Sequence, residues 1–350
     1  MQRITVCQSK EQGGRRCLNN SGNAFSNYPD IVNVDTKTKL VSVKGDFSER
    51  PALALHAAVI AGRSGYELSP ETIEAGKAVA DKFDTLDKKE VWEQWNDIVL
   101  TNQPSKALEA IHQMDWEKNF PELAAIRGVP QSPYWHPEGP VEVHTAQAAD
   151  IAAAKADEDG LNKKDRALVV MAAINHDFGK SVSTVIDDEG RISSANHQHT
   201  GVGISRSFLK RIGASKEMQT KVPLLVKTHM HHTAAPSDRA VHRLMKTLDN
   251  DGNGTTIEIW TRVAEADKAG RGSAGTFGIR EEFMTVANKL RVKADRPKPL
   301  VNGDTLTGLG YKTGPHFRDV ILGAKQAEET GEIHDEESAR TWLEKNFPNK

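Results

Sequence analysis

The sequence predicts a mainly α-helical chain with a short β-hairpin near its N-terminus. Three observations carry that prediction. From Pro51 onward, apolar residues recur at helical spacing in one segment after another, with Gly, Pro and Ser breaks between them. Before residue 51 that periodicity is missing, and IVNV (31–34) and LVSV (40–43) alternate around the polar stretch DTKTK. Of the 350 residues, 37% are apolar and 27% charged, enough for a packed core and against wholesale disorder. On a prior of roughly 100–200 residues per domain the length suggests two or three domains.

The helices follow in order. ALALHAAVIAGRSG closes at Gly65, and Ser69-Pro70-Glu71 opens the next helix with Ser69 as N-cap and Pro70 in the first turn. KKEVWEQWNDIVL (88–100) and PSKALEAIHQM (104–114) are amphipathic helices. The Pro-rich joint GVPQSPYWHPEGP (128–140) is the best candidate for a domain boundary. After it come VEVHTAQAADIAAAKA and KKDRALVVMAAINHD, the latter a buried helix, then GISRSFLKRIG, KVPLLVKTHMHH, TIEIWTRVAEADKAG and IREEFMTVANKLRV. A second Pro/Gly joint, RPKPLVNGDTLTGLGYKTGP (296–315), precedes two short closing helices, HFRDVILGAKQAEETG and DEESARTWLEKNF.

Composition excludes several classes. The formal net charge of −2 provides no global basic field for nucleic acid, so any RNA contact needs a local patch. The longest strongly apolar stretch, Ala167–Ile174, falls far short of the roughly 20 residues of a membrane span, and MQRITVCQSK has no apolar signal-peptide core. The two cysteines, Cys7 and Cys17, lack CxxC spacing, which points to a reducing cytoplasm. Histidine stands out, with 13 residues, most of them between His136 and His242.

The sharpest signal is Asn175-His176-Asp177-Phe178-Gly179-Lys180 at the end of the buried apolar helix. Adjacent His and Asp side chains diverge inside a helix, but at its C-terminus, where the chain turns, both can converge on one ion. His144 lies upstream on another helix. His199, His229, His232 and then Asp267 lie downstream, so the ligand order is H…HD…D. Neutral imidazole with carboxylate suits a divalent transition metal, and an incomplete shell leaves room for water and a phosphate oxygen. Lys180 and Arg271 are the candidates to hold phosphate charge. His136, His197 and His231 read as bystanders or outer groups.

These residues resemble the HD phosphohydrolase superfamily. PSKALEAIHQMDWEKNFPELAAIRGVPQSPYWHPEGPVEVHT is similar to the segment joining neck and HD domain in bacterial multifunctional CCA-adding tRNA nucleotidyltransferases. GYELSPETIE and EVWEQWNDIVLTNQPSKAL resemble the neck helices, EADKAGRGSAG the closing EADxxGR element, and KPLVNGDTLTGLGYKTGPHFRDVILGAKQAEETGEI the tail. The resemblance covers about residues 50–350. It implies a helical HD domain (134–280) flanked by a helical neck (51–133) and tail (281–350), with residues 1–50 a degenerate head remnant bearing the hairpin.

That family adds CTP and ATP with a Gly-Gly/Arg-Asp loop and a pair of metal-binding aspartates in an N-terminal head. Here GGRRCLNNSGNAFSNY is at most a worn trace of the head's last motif, with no DxD pair beside it, and SERPALALHAAVIAGR is mostly apolar where the base-reading neck helix carries Asp and Arg. The expectation is that nucleotide addition is lost and the hydrolase half kept. By resemblance that half hydrolyses 2′,3′-cyclic nucleotides, 2′-nucleotides and other phosphomonoesters. Its metal ligands are His144, His176, Asp177 and Asp267, with Asp177, Lys180 and Arg271 as the catalytic set. His199, His229 and His232 match less tightly, as ligands of a second metal or of the phosphate. Mg²⁺, Mn²⁺, Co²⁺ or Ni²⁺ is the expected cofactor. A nucleotide or RNA-end phosphate is the expected substrate, with weak tRNA contact and no membrane. The alternatives are an RNA- or protein-binding module with a structural metal, and an HD nucleotidase or dNTP phosphohydrolase.

Three further patterns are discounted. Asp249–Thr255 imitates the start of a calcium-binding loop, but its twelfth position is Trp260 rather than the bidentate Glu, so a polar turn is expected. Gly270, Gly272 and Gly275 spell GxGxxG without a preceding strand. RVKADRPKPL (291–300) reads as a solvated basic linker.

Overall fold

The computed structural model describes residues 32–232, 235–271, 278–290 and 299–348. The proposed head trace at 13–28, Ile31 of the hairpin, Gly272 and Gly275, and most of the basic linker (291–298) lie outside these residues. The chain divides into two compact units, 1–290 and 291–350.

In the first unit, strands Val32–Asp35 and Leu40–Val43 pair antiparallel with Val32 opposite Val43 and Asp35 opposite Leu40. The Asp35 carboxylate accepts from the backbone N–H groups of Lys37 and Thr38 (2.8 and 3.3 Å), and Lys39 closes the turn at φ 57°. Alternation puts Val41 and Val43 into the core. A two-residue strand, Glu67–Leu68, adds in parallel beside Leu40 and Val41. Periodicity had not indicated it, because a pair this short is made by tertiary contact rather than by pattern.

The helices form where capping and apolar spacing place them. Leu53–Ser64 is buried from Leu53 through Gly62 and ends at Gly65 in the left-handed region. Ser69 caps Pro70–Lys77 by accepting from Thr72 N–H, and Asp87 caps Lys88–Val99. Between Ala125 and Pro140 no helix or strand forms. Apolar side chains on both sides of this joint nevertheless belong to a single cluster reaching from Val41 to Ala287. Helix Lys163–Asn175, capped by Asn162, is buried from Arg166 to Asn175, as its apolar run requires. The Arg166 guanidinium donates to the Val99 and Thr101 carbonyls (2.7 and 2.9 Å) and pairs with Asp157. It thereby ties this helix to the end of Lys88–Val99. Edge-to-face aromatic contacts do the same on another side: Phe120 and Phe208 each pack on Trp95 with ring centroids 5.0 Å apart, and Phe178 packs on Phe208 at 5.4 Å. The segment between His176 and Lys180 is thus held from the side of helix Lys88–Val99.

Beyond it, a short hairpin (Thr184–Ile186 with Ile192–Ser194) leads into helix His197–Arg211. Helices Lys216–Thr228, Asp238–Asp249, Ile257–Ala269 and Ile279–Lys289 follow. Asp249–Thr255 is a turn between helices, with Asn250 and Asp251 at positive φ.

The second unit holds helices Gly303–Gly308, Phe317–Thr330 and Glu336–Asn346. Leu306, Val320, Ala324, Ile333 and Leu343 form its core. Asp335 and Ser338 make a reciprocal capping box at the start of its last helix. The mainly α chain with a short N-terminal hairpin is the fold observed.

Candidate metal centre

Helix Val141–Glu158 carries His144 on a face otherwise lined by alanines, including the buried Ala148 and Ala152. Those small side chains let it lie close to helix Ile257–Ala269, which carries Asp267. Just past that helix, a Cβ on Gly270 would sit 3.1 Å from His144 Cε1. Helix Lys163–Asn175 ends at His176, so His176 and Asp177 occupy the turn that follows, where the negative end of the helix dipole favours a cation. All four side chains are buried.

Their polar atoms converge. His144 Nε2 is 3.1 Å from Asp267 Oδ1 and 3.8 Å from Asp177 Oδ2, and His176 Nε2 is 3.2 Å from Asp177 Oδ2 and 3.8 Å from Asp267 Oδ1. The other Asp177 oxygen, Oδ1, faces a second group: His197 Nε2 at 3.2 Å and His229 Nε2 at 3.8 Å. His232 Nε2 stands 4.0 Å from Asp267 Oδ2. Asp177 therefore belongs to two adjoining sets of ligand atoms. Spacings of about 3–3.4 Å are what ligands at about 2.1 Å from one ion adopt.

The orientation of each imidazole explains why a cation fits. His176, His197 and His229 each place Nδ1 against a backbone carbonyl, those of Ala173 (2.7 Å), Ser194 (2.8 Å) and Val226 (2.6 Å). A carbonyl accepts only, so Nδ1 carries the proton and Nε2 presents a lone pair. The Nε2 atoms of His197 and His229 are 3.1 Å apart. Two facing lone pairs repel unless a proton or metal ion lies between them. His176 Nε2 and His232 Nε2 are buried with no hydrogen-bond partner, at a cost that a bound ion removes.

Electrostatics agree. Burial would raise Asp177 and Asp267, yet both are held well below the usual carboxylate range, Asp177 by His176 and Lys180, Asp267 by Arg271 and His144. Burial would lower His144, but Asp267 and Glu138 raise it to about 9. Burial pushes His229 down to about 3. His144 thus sits among carboxylates in a place suited to positive charge.

Of the residues expected from sequence, His144, His176, Asp177, Asp267 and His229 are brought together, and His232 lies at the edge. His199 is exposed and outside the cluster, while His197, read as a bystander, occupies the position beside Asp177. Lys180 is buried, its Nζ 2.7 Å from Asp177 Oδ2 and donating to Gln131 Oε1 at 2.7 Å. Arg271 Nη2 donates to both Asp267 oxygens (3.0 and 3.2 Å), leaving its buried Nε without a partner. Sequence reasoning missed Glu138. Its Oε1 accepts from His136 Nδ1 at 2.8 Å and lies 2.7 Å from His144 Nδ1, close but off the hydrogen-bond axis, so the second contact is chiefly electrostatic. The only available signal was its place in WHPEG, in a loop without periodicity.

Two kinds of likeness bear on this arrangement. Residues 141–251 match the model of the HD domain, which spans His144, His176, Asp177, His197, His229 and His232. The chain is also similar to the multifunctional CCA protein of Xanthomonas campestris, with 29% identity over 88% of this chain and 72% of that protein. The multifunctional CCA protein of Vibrio campbellii is 25% identical over 86% of this chain and 72% of its own length. A solved CCA-adding enzyme in its apo form aligns over 90% of this chain and 65% of its own, with 13% identity and a TM-score of 0.41. No helix among the described residues is long and apolar enough to cross a membrane.

Proposed function

We propose that the chain is a divalent-metal-dependent phosphohydrolase acting on 2′,3′-cyclic nucleotides, 2′-nucleotides and related phosphomonoesters. The observation that carries this reading is the buried cluster in which Asp177 joins two sets of inward-facing ligand atoms, His144, His176 and Asp267 on one side, His197 and His229 on the other. The HD-domain match supports hydrolysis, and the likeness to multifunctional CCA proteins supports a nucleotide or RNA-end phosphate as substrate, with weak tRNA contact. Mg²⁺, Mn²⁺, Co²⁺ and Ni²⁺ all suit the mixed imidazole and carboxylate donors. Bound there, such an ion supplies Lewis acidity at phosphorus-bound oxygen and lowers the pKa of water.

The chain's own residues supply the rest. Lys180 balances the Asp177 carboxylate and shares in neutralising phosphate charge. Arg271 holds Asp267 through Nη2 and keeps Nε–H to donate to a phosphate oxygen. Glu138, 2.7 Å from His144 Nδ1, places negative charge behind the ring of this ligand.

The test is hydrolysis of 2′,3′-cyclic AMP, 2′-AMP and a chromogenic phosphate ester with each of the four metals, for wild type and Asp177→Ala. Metal-dependent turnover that disappears in the variant is expected. No turnover of these esters by folded protein would defeat the reading. Turnover of dNTPs instead would point to a nucleotidase, and inertness with RNA affinity to a binding module.

A further inference from the structure

The large apolar residues described in the first unit are buried or half-buried with few exceptions, and the exceptions are not scattered. Among its described residues the exposed large hydrophobics are Tyr134, Trp135, Val182, Val185, Ile186 and Met230. Each lies on a segment that carries a residue of the metal centre. Tyr134 and Trp135 directly precede His136 and Glu138, the valines and isoleucine follow Lys180, and Met230 follows His229.

The aromatic pair is the most exposed. Tyr134 is 80% and Trp135 62% exposed, their rings edge to face with centroids 4.7 Å apart. Leaving that much aromatic surface in water forgoes a sizeable burial free energy. The loop that bears the pair is fixed. Gln131 donates to the Gly139 carbonyl at 3.0 Å and accepts from Lys180, and the N–H groups of Trp135 and His136 both donate to the Ser132 carbonyl (3.1 and 2.8 Å). Trp135 is bonded to His136, whose ring centroid lies 4.8 Å from that of His144. Two exposed aromatic rings are therefore carried on a hydrogen-bonded loop, next in sequence to a histidine that packs on His144.

We propose that Tyr134 and Trp135 are the stacking platform for the nucleobase of the substrate whose phosphate enters the metal centre. This rests on the phosphohydrolase reading and specifies its substrate class: base-bearing phosphoesters are preferred over base-free ones. Stacking tolerates any base, because each has a π-face, so no strict choice among bases follows. Tyr134 and Trp135 determine specificity and take no part in bond breaking.

Kinetics on 2′-AMP and on glycerol 2-phosphate, which has no ring, test the proposal in wild type, Trp135→Ala, Tyr134→Ala and Trp135→Phe. In Trp135→Ala the KM for 2′-AMP rises about tenfold or more with kcat little changed, and the kcat/KM preference for 2′-AMP over glycerol 2-phosphate falls by a similar factor. Tyr134→Ala shifts the same preference less, and Trp135→Phe restores most of it. Equal effects on the two substrates, or an unaltered preference, would overturn the platform. Failure of wild type to hydrolyse any ester would remove the phosphohydrolase reading instead. Titration with 2′-AMP would then decide the platform: weaker binding by Trp135→Ala upholds it, equal binding ends it.

Discussion

One residue, Gln198, separates His197 from His199 in HQHTG, and the fold uses only one of the two histidines. His197 is the first residue of its helix, following Asn196 at φ 60°, and its Nδ1 is engaged by the Ser194 carbonyl. That backbone geometry turns its Nε2 toward Asp177 and leaves His199 in solvent. No periodicity reveals this, because the buried face at a helix start depends on what the start rests against. The H…HD…D order was legible because each of its members sits in or beside a strongly apolar helical segment. Glu138 was not, since it works from an irregular loop. His197→Ala should lower divalent-metal affinity by at least about 10–100-fold, while His199→Ala, a surface change, should leave stability within about 0.5 kcal/mol and metal affinity unaltered. Titration of both variants with Mn²⁺ checks this, and the reverse order would reassign the ligand.

At the level of elements, the turn after helix Lys163–Asn175 and the start of helix His197–Arg211 lie in backbone contact. A Cβ on Gly179 would overlap the His197 carbonyl oxygen. No side chain can move to relieve it, so glycine at 179 sets the approach that brings His197 to Asp177. Gly203, on the same helix as His197, has open space around it. Gly179→Ala should therefore destabilise by about 1–3 kcal/mol and weaken metal binding. Gly203→Ala should gain up to about 1 kcal/mol from helix propensity and leave metal binding alone. Denaturant unfolding and metal titration of the two variants read this directly. The helices from Leu53 onward were legible because caps such as Ser69, Asp87 and Asn162 stand where local pattern puts them. The strand Glu67–Leu68 and the hairpin at 184–194 were not, since runs of two or three residues carry too little alternation.

Over the molecule as a whole, the joint at 128–140 looks like a boundary in sequence but interrupts no core. Trp95, Phe120, Phe208 and Phe178 form one aromatic group across it, and Arg166 bridges the same divide. Pro and Gly mark where helices stop, and they do not say whether the core stops with them. This shared core contains His56, which burial, with Arg63 nearby, pushes down from 6.5 to about 4. The folded state therefore holds His56 neutral where the unfolded chain takes up a proton. Its contribution is fully present above pH 6.5 and is lost as the pH falls toward 4. At pH 5 the loss amounts to about 2 kcal/mol relative to pH 7. Unfolding free energies at the two values should fall more steeply for wild type than for His56→Gln, and parallel slopes would remove His56 as a source.

The most direct measurement is the metal content of the folded protein after dialysis against Mn²⁺ and removal of free ion, for wild type beside Asp177→Ala. If Asp177 joins two occupied sets of ligands, wild type retains about two ions per chain and the variant loses most of both. A wild type that retains none, or an Asp177→Ala variant that retains as many, would contradict a metal centre built on this residue.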